Sequence, residues 1–329
     1  MNKLRRKISF AIAGAIAGIA AASGVFAQSW PQRPITIVAA YPPGGVADVI
    51  ARVLATELAK RVGQPVTVEN RVGGSGTIGA AYVAKAAPDG NTLLMGAMAE
   101  IVFTPFTMDK MQYQPDKHFV PVAMAVRYPF MLVANPAFPA RTAAEMLALA
   151  RKEPGRHTYA SSGVGSVQHI AMEMLIQQTG IKLHHIPYKG VSPMLTDILG
   201  NQVSMGVAGF PPAIVHVEAG KLTALGVTSK QRLKTHPNIP ALAETPGLEA
   251  YDFTAWVGLF APAGTPLPII DRLHRESVAI FSTPEVRANL EKQAMTVSSE
   301  SSAEFAAFVK SETRIYEKVI KDGGIKGAE

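Results

Sequence analysis

The 329 residues include no cysteine, which removes disulfide bonds, thiolate catalysis and zinc–thiolate sites together. The fold must rest on its core, and at 48% hydrophobic residues the chain has material for one core or two. The apolar run Phe10 to Ala22 is shorter than the ~20 residues a membrane-spanning helix needs. A cluster of Lys and Arg interleaved with aromatic residues is also missing, so a nucleic-acid partner is excluded. Internal repeats, low-complexity tracts, a GxSxG elbow and glycosidase-like carboxylate pairs are all absent.

The first residues do carry an export signal. Lys3, Arg5, Arg6 and Lys7 form a basic n-region, Phe10 to Ala22 an apolar h-region, and Val25-Phe26-Ala27 a small-x-small cleavage site. Residues 1–27 are expected to be removed after Ala27. No cysteine follows that site, which excludes a lipid anchor, and Arg5-Arg6 lacks a twin-arginine context, which leaves the Sec route. Losing the signal lowers the basic count from 32 to 28 against 25 acidic residues, a net charge of +3. The basic balance therefore belongs largely to the signal.

Strand-like and helix-like segments then alternate, the pattern of α/β layering with largely parallel sheets. ITIVAA stops at Tyr41-Pro42-Pro43-Gly44-Gly45-Val46-Ala47-Asp48 and turns into the amphipathic helix VIARVLATELAKR. PVTVEN leads through a glycine loop to IGAAYVAKAA, and Thr92 to Met98 reads as a strand. Pro121 to Asn135 is a long crossing, followed by helix Ala143 to Lys152 with Thr142 as its cap. TYASSGVGSVQHIAMEMLIQQTG reads as strand, glycine loop and helix. LHHIPY leads through Lys189-Gly190 to a helix expected to have Ser192 as cap. NQVSMGVAGF and LTALGVTS are further strands, YDFTAWVGLFAPAGTP is a second crossing, and the remainder reads as helical. Ser282…Glu285 and Ser301…Glu304 have capping-box spacing. Two crossings divide the chain into two lobes, residues 28–128 with 253–329, and residues 129–252.

Two strand-to-helix junctions carry chemistry. Prolines end a ladder and glycines adopt angles other residues avoid, so N–H groups are freed where the helix dipole is positive. Such junctions bind anions, and a carboxylate is satisfied by several N–H donors at once. On the first lobe Tyr41 is expected to cover a ligand with its ring while Gly44, Gly45, Val46 and Ala47 donate N–H. On the second, Ser162, Gly163, Val164, Gly165 and Ser166 do likewise, with the hydroxyls of Ser162 and Ser166, or else those serines serve as turn residue and N-cap. Facing nests suit a dicarboxylate or a carboxylate with a second polar end. Asp48 is expected to pair with Arg52 four residues on, a structural role in the first helical turn.

YPPGGVADVIAR, GQPVTVENRVGGSGTIGA, VAKAAPDGNTLL, YASSGVGSVQHIAMEML, IPYKGVSPMLTDILGNQV and AGKLTALGVTS, in that order, resemble the Bug family, the TctC-like substrate-binding proteins of tripartite tricarboxylate transporters. The resemblance covers essentially the whole mature chain. It implies a periplasmic Venus-flytrap protein that closes two α/β lobes on a small carboxylate and serves a membrane permease. One departure bears on specificity. Where family members commonly carry an aromatic residue followed by Asp and Asn, this chain has Ala208-Gly209-Phe210, so a counter-ion for a ligand ammonium is lacking. Phe210 then faces an aromatic or apolar ligand body, or sits in the core.

Other motifs compete with that reading. Gly74-Ser75-Gly76-Thr77-Ile78-Gly79 matches GxGxxG, but no acidic residue ends a strand some twenty residues later, Glu100 being too distant for a ribose. Ser166 and His169 suggest a nucleophile and base, yet a local structural hydrogen bond from His169 is the expected arrangement. His184 and His185 point to opposite faces of a strand and cannot chelate one ion. The reading is a monomeric solute-binding protein without catalysis, cofactor or metal. An exported serine hydrolase and a ligand-presenting sensor component are the alternatives.

Overall fold

Residues 30–326 are described by the computed structural model; the expected signal peptide lies outside them. Strands β1 (Ile35–Ala39), β2 (Val66–Asn70) and β3 (Thr92–Ala97) pair in parallel around β1. β1 is apolar except for the half-buried Thr36, because both its faces are covered. Ile35 and Ile37 join Ile50, Leu54 and Leu58 of helix α1 (Val46–Val62), while Val38 meets Ala80 and Val83 of α2 (Thr77–Ala84) on the other side. After β3 the chain winds through a π-helical turn, Ala99–Phe103, into the short α3 (Thr104–Thr107) and α4 (Pro115–His118).

The long crossing is β4 (Phe119–Ala134). A second set of units follows: α5 (Ala143–Lys152), β5 (Thr158–Ser161), α6 (Val167–Thr179), β6 (His184–Pro187), α7 (Val191–Leu199), β7 (Met205–Gly209), α8 (Phe210–Glu218) and β8 (Thr223–Val227). The chain returns by β9 (Thr254–Pro262) and ends in α9 (Leu267–Phe281), α10 (Pro284–Glu291), the short β10 (Thr296–Val297) and α11 (Ser302–Asp322). The strand order is β2-β1-β3-β9-β4-β7-β5-β6, with β8 and β10 also on β4. Pairing is parallel within the βαβ units and antiparallel wherever β4 or β9 takes part. The α/β two-lobe fold is thus present, with a correction to its centre. The crossings return against the strands they join, so the middle of the sheet is antiparallel.

β4 belongs to both halves. From Phe119 to Pro129 it pairs with β9, and from Phe130 to Ala134 with β7 and β8. Thr228 marks the exchange: its Oγ1 accepts from the Phe130 N–H at 2.8 Å, its own N–H donates to the Phe130 carbonyl at 3.0 Å, and Phe253 N–H donates to its carbonyl at 2.8 Å. α11 spans the junction. Its Phe305 packs edge-on against Trp256 of β9 at 5.6 Å, and the Gln177 side chain of α6 donates to its Val319 carbonyl at 2.9 Å.

Local expectations fared unevenly. Thr142 caps α5 by accepting from Glu145 N–H, and Ser301 with Glu304 closes a capping box. The N-cap of α7 is Gly190 (φ 113°), not Ser192, because only glycine turns so sharply out of the strand there. Ser282…Glu285 forms no box: α10 is capped at Thr283, whose hydroxyl donates backwards to the Ile280 carbonyl. β10 is a strand where only helix was expected.

Candidate functional site

At the first junction the chain folds back on itself before the helix starts. Gly44 (φ 86°) donates its N–H to Asp48 Oδ2 at 2.9 Å, and Gly45 N–H donates to the Pro42 carbonyl at 3.1 Å. Two of the four donors expected there are therefore committed inside the loop. Those of Val46 and Ala47 remain open, since the first N–H groups of a helix have no intrahelical acceptor and Gly45 supplies no side-chain cap. Asp48 also accepts from Arg52 at 2.9 Å and from Asn70 at 2.8 Å, and is buried. The Arg52 guanidinium holds its carboxyl at about 2, the structural pair that its position suggested.

The second junction is still more self-satisfied. Gly163 N–H donates to Ser161 Oγ, Ser166 N–H to the Gly163 carbonyl, and Gly165 N–H to His169 Nδ1 at 3.0 Å. Ser162 donates to Gln168 Oε1 at 2.8 Å, and Ser166 Oγ accepts the His169 N–H as N-cap of α6. The hydroxyls and three of the N–H groups offered as ligand donors are thus used locally. His169 turns its Nδ1 to the loop, not to Ser166, so the two form no nucleophile–base dyad. Burial, then neighbouring His185, keeps His169 neutral with a pKa near about 3; the two rings stack at 3.9 Å.

Between the lobes lies a cavity of about 610 Å³. The first lobe contributes Tyr41, the Gly44–Ala47 turn and Ala97 to Ala99; the crossings contribute Tyr128, Ala255 and Val257; the second lobe contributes Val167, Val191 and Ser192. Its described lining contains no charged side chain. Three helix N-termini meet here, those of α1, α6 and α7, and the last has a glycine N-cap with no side-chain cap. Sequence reasoning saw two of the three. IPYKGVSP has the same strand-turn-helix grammar as the others and was the available signal. A larger cavity of about 900 Å³, between α3–α4 and α11, shares no lining residue with the interlobe cavity.

Ala208 was a candidate ligand contact, and Phe210 either a ligand contact or a core residue. The side chains of Ala208 and Phe210 are buried in the core of the second lobe, and the Phe210 ring meets His236 edge-on at 4.9 Å, so neither faces the cavity. Glu100, by contrast, was overlooked as a site residue. It is fully buried and accepts the Tyr41 hydroxyl at 2.6 Å and the Ala97 N–H at 2.6 Å. Burial pushes its carboxyl up to about 7 and contributes, with Glu100 itself, to raising Tyr41. A lone acid inside the apolar stretch MGAMAEIVF was its signal.

Residues 50–325 match the model of the tripartite tricarboxylate transporter family receptor, TctC. Protein BugT of Bordetella pertussis is 33% identical over 99% of this chain and 99% of its own length. Among solved structures, R. palustris Rpa4515 with adipate is 31% identical with a TM-score of 0.80, covering 90% of this chain and 99% of that one. MatC from Rhodopseudomonas palustris with bound malate is also 31% identical, with a TM-score of 0.75 over 88% of this chain and 100% of the other.

Proposed function

Because this chain belongs to the tripartite tricarboxylate transporter receptor family, we propose that it binds a small dicarboxylate between its lobes in the periplasm and delivers it to a membrane permease of the tripartite tricarboxylate type. The family is one of solute-binding proteins, and the chain is not an enzyme. On this reading export ends with cleavage after Ala27, and residues 28–128 with 253–329 close as one body on residues 129–252.

The observation that carries the reading is the convergence of three helix N-termini on one interlobe cavity lined by no charged side chain among the described residues. Open N–H groups at the positive ends of helix dipoles favour an anion and have no partner to offer a cation. Adipate and malate in two relatives of the same fold support a dicarboxylate. Among the described residues no helix is long and apolar enough to cross a membrane.

The test is calorimetric titration of adipate, malate and terephthalate, each beside its monoamide. A hydrogen bond to a charged acceptor is worth ~1.5–3 kcal/mol against ~1 for a neutral one, so each monoamide should bind roughly tenfold to several hundredfold more weakly. Equal affinity for acid and amide would remove the anion reading. Delivery is tested by deleting the gene and measuring uptake of the bound acid; undiminished uptake argues for a sensory role instead.

A further inference from the structure

Glu100 stands where an anion-binding cleft has least use for it. It lies in the π-helical turn Ala99–Phe103, a geometry often found at functional positions. Tyr41 and Ala97, whose hydroxyl and N–H it accepts, both line the interlobe cavity. The carboxyl group is therefore one residue layer behind the wall, holding two donors that a bound oxyanion would otherwise reach.

Among the described residues no cation answers it. From the loop before α1 it faces Tyr41, from the segment before α4 it faces Tyr113, whose hydroxyl donates to the Glu100 carbonyl at 2.7 Å, and from β4 it faces Tyr128. β3 presents only the Ala97 N–H, while the Thr104 hydroxyl of α3, like that of Tyr113, donates to the Glu100 main-chain carbonyl and not to its carboxyl group. α11 reaches this turn through the Tyr316 ring on Phe103. The loop before α2 closes over it with Gly76 (φ 93°), where a Cβ would stand 2.9 Å from the carboxyl group. Asp48, the other buried acid beside the cleft, is by contrast paired with Arg52. Surroundings fitted this closely to an unpaired acid call for a role.

Resting on the interlobe dicarboxylate reading, we propose that Glu100 sets the charge selectivity of the cleft: ionised, it withholds the Tyr41 hydroxyl and the Ala97 N–H and opposes a second negative charge on the ligand; neutral, it admits the dianion. With burial holding the carboxyl near about 7, both forms are populated around neutrality. A dianion that binds the neutral form better must, by linkage, draw a proton onto Glu100 as it binds. Its affinity falls as rising pH ionises Glu100: one unit charge ~8 Å from another, at an effective dielectric of about 20, changes affinity by roughly thirtyfold, so the loss across about two pH units centred on neutrality approaches tenfold.

The experiment compares wild type and Glu100→Gln, which keeps the shape and one acceptor, using adipate, malate and terephthalate with their monoamides between about pH 6 and about pH 8, where these acids remain dianionic. Calorimetry in buffers of different ionisation enthalpy reads proton uptake directly. In the wild type the strongest of the three dianions should lose about tenfold in affinity across the range, with proton uptake near neutrality. In Glu100→Gln the slope and the uptake should vanish and the preference for acid over monoamide should widen by about tenfold. An equal loss for acid and monoamide with the pH slope unchanged would reduce Glu100 to packing and overturn the proposal. Should the variant fail to fold, absence of proton uptake by the wild type overturns it alone. If none of the three dianions binds the wild type, the cleft reading itself fails and the proposal with it.

Discussion

Gly165 has two reasons to be glycine, and one of them lies on the other lobe. Its φ of 72° is a left-handed conformation that costs an ordinary L-residue roughly 1–2 kcal/mol and a β-branched one more. A Cβ there would also stand 3.3 Å from the Thr107 methyl at the end of α3, which belongs to the facing lobe. The sequence suggested its N–H as a ligand donor, but that N–H is held by His169. Gly165→Val is therefore expected to weaken dicarboxylate binding at least about tenfold by hindering closure and straining the loop, while unfolding stays cooperative. Gly165→Ala should cost less. Calorimetry beside thermal unfolding checks this, and wild-type affinity in the Val variant would detach the loop from closure.

At the scale of elements, the exchange of partners along β4 is the point where the two halves are coupled. Phe130 leaves β9 and its N–H passes to the Thr228 hydroxyl, a fully buried group just beyond β8. Thr228→Val keeps the shape and strands a buried backbone donor, which costs ~1–3 kcal/mol. A lowered denaturant midpoint with an unchanged slope is the expected result. No loss of stability would mean that the strand exchange is held by packing alone. The strands and long helices themselves were legible because hydrophobic period and caps are local signals: Thr142 and Ser301 could be assigned from their neighbours in sequence. Ser192 could not, since Gly190 before it already made the turn.

For the whole molecule, the arrangement is a cavity between two lobes joined through β4, the Thr228–Phe253 connection and α11. On the proposed reading closure rotates the lobes about these links while α11 stays seated on α6, and that contact bounds its amplitude. Small-angle scattering is expected to show the mature protein as a monomer whose radius of gyration decreases on saturation with a dicarboxylate. A radius that does not change with a bound acid would exclude hinge closure as the mode of capture.

By itself the sequence determined the alternation of strands and helices, the two crossings, the Asp48–Arg52 pair and two of the glycine junctions, all of which follow from spacing, capping chemistry and backbone sterics within a few residues. The folded structure decided which N–H groups remain available, because Gly44, Gly45, Gly163 and Gly165 found acceptors within four residues of themselves. It also brought the N-terminus of α7 to the cavity, turned Phe210 into the core and set Glu100 behind Tyr41. The glycine contacts are set within four residues by loop angles that composition does not display, whereas the others depend on which faces of distant elements meet, and a side chain's neighbours across a cleft leave no periodic trace along the chain.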